Sequence, residues 1–355
     1  MTLNSITRRS FLGSSAGVAA SAVLAGAPMM SSVASAATGA PFPTLAQGRI
    51  SPQPARDYVD SMLSGGPGKD GIPSIDKPSF WSMTKASEFL DDGDIVFGLV
   101  QNDTVRAYPQ RILVWHEIVN DVVDGKGLAI TYCPLTGTAI AFERGSTEFG
   151  VSGRLVNSNL IMYDRDTDTW FPQILAVGTQ GPHTGKALVE RPLVWTTWGR
   201  WRALYPQTEV LSTRTGALRN YRRDPYGAYN DVDGYYLPES NLLFPLMNES
   251  SQHPAKSMFL LARTAQNSVA FDLNQLRQKN RLELISNGIF FTAVYDPRLD
   301  TGHVFRGRTL AEPIITGASA FDISWSDGVR LEPLSAFQAM WFAVAAYYPE
   351  VTVHV

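Results

Sequence analysis

The chain holds one cysteine, Cys133, and five histidines in 355 residues, so few side chains can act as nucleophile, redox group or soft ligand. Cys133 ends the apolar run Leu128-Ala129-Ile130-Thr131-Tyr132 and precedes Pro134 in a turn over 133–137. Such a strand-end turn displays a reactive group on a rigid scaffold. A thiolate there is a nucleophile, redox group or metal ligand where a nearby positive charge or helix N-terminus lowers its pKa. The plainer reading is a buried, inert cysteine packing as a small hydrophobe. His116 shares the stripe Ile112, His116, Val119 and Val123, which reads as one helix face opened by Pro109. It is either a hydrogen-bonded core histidine or the base or second metal ligand facing Cys133. Glu117 would then point about 100° away, to cap, pair or orient another group.

Further candidates lie downstream. Arg165 and Trp170, with Trp115 from the helix, could wall a ligand pocket beside Cys133. Asp164, Asp166 and Asp168 alternate as calcium ligands do. Thr169 and Leu175, however, replace the glycine and the acidic closure such a loop needs, so a hairpin turn is the better reading. Trp195, Trp198 and Trp201 fall at helical spacing and suit core packing better than a stacking platform. His116-Glu117-Ile118-Val119-Asn120 begins like a zinc-protease helix, but Asn120 stands at the second histidine. A single cysteine also excludes an intramolecular disulfide and an all-cysteine metal or iron–sulfur site.

Thirty basic against thirty-three acidic residues, a formal charge of −3, argues against a nucleic-acid binder, and the abundance of Trp, Tyr and Phe against disorder. The segment Thr7-Arg8-Arg9-Ser10-Phe11-Leu12, an apolar stretch over 13–27 and Ala34-Ser35-Ala36 form a twin-arginine leader over 1–36 with a cleavage site. The apolar stretch is shorter than the ~20 residues of a membrane-spanning helix. The expectation is export, already folded, by the twin-arginine translocase to the periplasm or beyond, with no stable membrane anchor after cleavage. That route is a reason to look for a ligand. The cofactor is left open, a metal ion bound before export being one option.

Sliding the chain on itself places Ala107 on Ala270, Leu113 on Leu276, Tyr132 on Tyr295, Pro134 on Pro297 and Phe142 on Phe305, a constant offset of 163. Phe97 meets Phe259 when one residue is gapped. Further on, Trp198, Tyr205 and Val210 meet Trp341, Tyr348 and Val353 at an offset of 143. This predicts an α+β fold of two tandem, pseudo-symmetric β-rich repeats, each with a hairpin, a helix, central strands and a late helix. The parts are an N-terminal extension (37–89), repeat 1 with inserted strands (90–212), a surface connection (213–254) and a degenerate repeat 2 (255–355). The late helices are expected over 197–204 and 336–347. Because Asp296 and Lys279 take the places of Cys133 and His116, any site belongs to repeat 1.

The strings Trp115–Asp121, Tyr132–Ala139, Ser152–Leu160, Tyr163-Asp164-Arg165 and Thr196-Thr197-Trp198-Gly199 together resemble the prokaryotic family catalogued as domain of unknown function number 3179. The resemblance covers roughly residues 75–355 and implies no settled activity. Many members resemble this chain in being exported. The family's Cys-Pro-Leu-Cys-Gly has Thr136 at its second cysteine here, which argues against a dithiol role.

Two functions remain in view. One is a periplasmic thiol- or metal-dependent enzyme or redox protein using Cys133 with His116, its ligand held by Trp115, Glu117, Asp164, Arg165 and Trp170. The other is a non-catalytic module that binds a small molecule or envelope partner in a cleft between the repeats.

Overall fold

Runs of β-branched and aromatic residues broken by Asn-Gly and Asp-Gly pairs dictate hairpins, and strands dominate. The computed structural model describes residues 40–229 and 232–354 and is an α+β protein, mostly sheet with a few short helices. The expected leader lies outside the described residues. No helix among them is long and apolar enough to cross a membrane.

In the first half, the hairpin Ile95–Gln101/Thr104–Pro109 is flanked by Val194–Thr197 and by Glu209–Leu211, which runs parallel to Thr104–Pro109; Phe80–Ser82 completes this sheet. A second sheet has the order Glu190–Arg191, Thr138–Glu143, Lys126–Cys133, Ile118–Val123. The segment after it forms a sheet of its own, Leu63–Ser64, Phe149–Val156, Asn159–Asp164 and Trp170–Pro172. In the second half, Met258–Arg263 and Ser268–Asp272 pair between Ala336–Met340 and a parallel Thr352–His354. Arg281–Ser286, Ile289–Asp296, Thr301–Arg306 and Glu332–Leu334 form the remaining large sheet.

Three expectations are corrected. The helix after Pro109 is one turn, Gln110–Leu113, and Ile118–Val123 is a strand; the β-branched residues after Glu117 overrule the helical stripe. The second late helix is Trp341–Tyr347, because Ala336–Met340 pairs with Met258–Arg263. The connection is not a surface wrap: Tyr221, Tyr235 and Tyr236 are buried, the last two in the main core.

That core crosses the two halves. All seven residues of Trp341–Tyr347 are buried, among Phe149, Leu160, Phe171 and the Cys133 turn. Tyr347 donates to the Val156 carbonyl at 3.1 Å, and the Met340 N–H donates to the Thr136 carbonyl at 2.9 Å. The other late helix, Trp198–Leu204, lays Trp201 against the hairpin so closely that a Cβ on Gly98 would lie 2.1 Å from its ring. Gly98→Ala must therefore displace a buried indole. It should cost about 1–3 kcal/mol by overpacking, read as a lower denaturant midpoint with unchanged m-value; an unchanged midpoint would show that Trp201 is free to move.

Candidate functional site

The one-turn helix Gln110–Leu113 runs out through Val114 and Trp115, and the chain must reverse into the strand Ile118–Val123. Glu117 makes the reversal in the left-handed region, φ 59°. Its N–H donates to the Leu113 carbonyl at 2.7 Å and its carbonyl accepts from the Tyr132 N–H at 2.8 Å. A non-glycine residue held there is strained by about 1–3 kcal/mol, and such residues cluster at functional sites. The backbone bonds hold Glu117 beside the end of the strand that carries Cys133.

The Glu117 side chain lines a pocket of about 210 Å³ with Ile72, Leu135, Leu155, Leu160, Tyr226 and Phe244. It is buried, and its carboxyl has no hydrogen-bond partner among the described residues. Burial alone raises the carboxyl to about 8, because a low-dielectric surround disfavours the charged form. Arg154 is the basic residue of the pocket wall and is exposed.

Cys133 is buried and within reach of the charge of this carboxyl. Its Sγ accepts from the Leu160 N–H at 3.4 Å and faces the Ser158 carbonyl at 3.8 Å. Burial, then the negative charge of Glu117, push the thiol up to about 11, with hydrogen bonds from Thr136 and Leu160 pulling the other way. Burial and then Glu117 and Cys133 also raise the Tyr226 phenol. Three groups that each resist ionisation thus lie within reach of one another's charge.

No hydrogen bond joins His116 to Cys133. The His116 Nδ1 lies 2.7 Å from the Pro73 carbonyl, which can only accept, so Nδ1 carries the proton and Nε2 accepts from the Tyr221 hydroxyl at 2.7 Å. Burial lowers its pKa, against the Pro73 hydrogen bond. Both ring nitrogens are used, so His116 is a bonded core histidine that fixes the entry to Glu117.

The other candidates are engaged with other groups. Trp115 donates to the Arg223 carbonyl at 3.0 Å. Asp164 closes the hairpin by accepting from the N–H groups of Thr167 and Thr169, at 2.7 and 3.0 Å. Arg165 pairs with Asp76 at 2.8 Å and Glu148 at 3.2 Å, and Trp170 donates to Asp168 at 3.0 Å. Among the described residues no three His, Cys, Asp or Glu side chains converge to hold a metal ion. Trp198 and Trp201 are core residues, whereas Trp195 lies in the strand Val194–Thr197, outside the helix, and is half-buried.

Sequence reasoning did not find the pocket wall. Ile72 comes from the N-terminal extension, and Tyr226 and Phe244 from the connection. The signal available was the density of tyrosines in 213–254, more than a surface wrap needs.

A protein-family model described as a protein of unknown function, DUF3179, matches residues 69–351. No curated protein and no solved structure matches the chain.

Glu117 ionises near 4.5 in an unfolded chain and near 8 in the folded one. Between these values the folded state binds more protons, so the Glu117 contribution to stability falls as pH rises through the window and levels off above it. Glu117→Gln should remove this fall. The stability of the variant relative to the parent should rise from pH 4.5 to pH 8 in denaturant titrations; a pH-independent difference would mean that the carboxyl titrates normally.

Proposed function

We propose, for a chain that belongs to the family of proteins of unknown function DUF3179, an exported enzyme that moves a proton with Glu117, beside the Cys133 thiol, on a small molecule with an apolar body. The observation that carries this reading is the Glu117 carboxyl: buried, unpartnered among the described residues, and in the wall of a pocket. A group poised near 8 sits close to physiological pH, where acid–base transfer is most efficient. The carboxyl is an acid toward a bound substrate and, once ionised, a base toward the substrate or toward Cys133. With His116 occupied by Pro73 and Tyr221, Glu117 takes the role of partner to the thiol. The twin-arginine pattern over 1–36 supports a location in the periplasm or outside the cell.

We infer also that 90–212 and 255–355 are two copies of one unit, the second supporting the first. Strand pairing supports this. Gly98 pairs with Ala107 and Leu261 with Ala270; Cys133 pairs with Thr138 and Asp296 with Thr301. Val194 pairs with Gly98 and Phe337 with Leu261. The offset of 163 therefore needs no gap, and Val96, rather than Phe97, corresponds to Phe259. Glu117 then corresponds to Asn280, which has φ 62° and accepts from the Tyr295 N–H at 2.9 Å. Asparagine suits that backbone and glutamate does not. A left-handed glutamate kept at this turn points to a function for its carboxyl.

A second reading, a binding module with a cleft between the copies, is favoured by a cavity of about 260 Å³ bounded by Leu193 and Val194 on one side and Val304 and Leu334 on the other.

The test is turnover of small apolar acids, esters and disulfides by natively exported protein, followed by mass spectrometry. Glu117→Gln should lower kcat by about 10²–10⁴-fold and abolish the limb of the pH profile near 8. Cys133→Ser should lower kcat while the fold is retained. Unchanged turnover in Glu117→Gln would overturn the proposal.

A further inference from the structure

The connection between the halves opens with a short loop, 213–223, that holds Arg214, Arg219, Arg222 and Arg223 and no acidic residue, in a chain of formal charge −3. Its base is fixed to the body of the protein. Tyr221 is buried, donates to His116 Nε2 at 2.7 Å and accepts from the Thr215 hydroxyl at 2.5 Å. The Arg223 carbonyl accepts from the Trp115 indole at 3.0 Å, and the Arg214 carbonyl from the Ser79 hydroxyl at 3.5 Å. With Thr215 and Tyr221 joined, residues 216–220 form the tip, and Leu218 at its middle is 98% exposed.

All four arginines of the loop are exposed. Among the described residues none of their guanidinium groups pairs with a carboxylate. Asp94 and Asp224, which share a recess with Arg222, are taken by Arg111 and by Gln110. Arg222 also lies over the Phe89 ring, 5.6 Å from its centroid. Arg219 stands 6.0 Å from the centroid of the Trp115 ring and donates only to the carbonyl of its neighbour Leu218, at 3.2 Å.

A single exposed leucine needs no explanation by itself. This one is the apex of an anchored loop and has unpaired arginines on both sides of it in the chain. The combination fits a surface that offers phosphates in one plane and hydrocarbon just beneath. Guanidinium groups match phosphate oxygens two at a time, basic residues are drawn to an anionic lipid surface, and an apolar side chain gains by leaving water. A dissolved polyanion supplies the charge but no apolar layer for Leu218. The fixed base leaves little of the loop to be ordered on contact.

We propose that the loop 213–223 docks the protein reversibly on an anionic lipid surface, with Leu218 entering below the phosphates and Arg214, Arg219 and Arg223 pairing with them. One leucine and a few cations give a peripheral contact, far weaker than a membrane-spanning helix. The proposal does not rest on the reading of Glu117.

The experiment is co-sedimentation of natively exported protein with phosphatidylcholine vesicles, with and without about one third phosphatidylglycerol, the anionic lipid supplying the surface charge. The protein should sediment with the anionic vesicles only, and raising salt from about 0.05 M to about 0.5 M should release it. Arg219→Gln with Arg223→Gln should weaken binding about tenfold or more, at about fivefold per charge. Leu218→Ser should weaken it about threefold or more through the lost apolar contact. Both variants should keep the parent's circular dichroism, because the side chains they change are exposed. Arg330→Gln removes an exposed charge from the second half and should leave binding unchanged. Soluble polyphosphate serves as the probe for charge alone. No binding to anionic vesicles, equal binding to neutral ones, full binding by Leu218→Ser, or polyphosphate binding without vesicle binding would overturn the proposal.

Discussion

A single backbone reversal carries the candidate site: Glu117 bridges the end of a one-turn helix and the strand Ile118–Val123 in a left-handed conformation, bonded to Leu113 and Tyr132. Those two hydrogen bonds hold Glu117 at the end of the strand that carries Cys133, in the wall of the pocket. The strain and the desolvation oppose folding, and neither is offset by a partner for the carboxyl among the described residues. They are met by the surroundings: His116 is tied to Pro73 and Tyr221, and the N-terminal extension and the connection bring Ile72, Tyr226 and Phe244 over the carboxyl. The raised pKa of Glu117 follows from that enclosure alone.

The second half completes the support. Its helix Trp341–Tyr347 is buried beneath the Cys133 turn, and Met340 holds Thr136 through the backbone. Thr136 in turn exchanges a hydrogen bond with Thr138 and accepts from Asn159 at 3.1 Å. Where the family pattern has a second cysteine, this chain has a buried hydroxyl network. That network favours the thiolate of Cys133 slightly, against the larger effect of burial. The thiol is thus held protonated chiefly by burial, with the charge of Glu117 adding to it.

Much of the architecture was legible because strands announce themselves through β-branched residues and turn pairs. The inserted strands of 90–212, Phe149–Val156 and Asn159–Asp164, and the late helix Trp198–Leu204 fall where the pattern put them. The site was legible only in part. Ile112, His116, Val119 and Val123 mimic a helix stripe because a single helical turn, a reversal and a strand happen to present apolar residues at the same spacing. Reading them as one helix turned Glu117 away from Cys133 and His116 toward it. The β-branched run after Glu117 was the contrary signal. The pocket wall was illegible for another reason: Ile72, Tyr226 and Phe244 meet only through tertiary packing of segments far apart in the chain.

The most direct test of the account is infrared titration of the Glu117 carboxyl, taken as the difference between natively exported protein and its Glu117→Gln variant. The account requires a protonated carboxylic-acid band that persists at pH 7 and disappears with a midpoint near 8. A band already lost by pH 5.5, with a midpoint near that of a free glutamate, would contradict it.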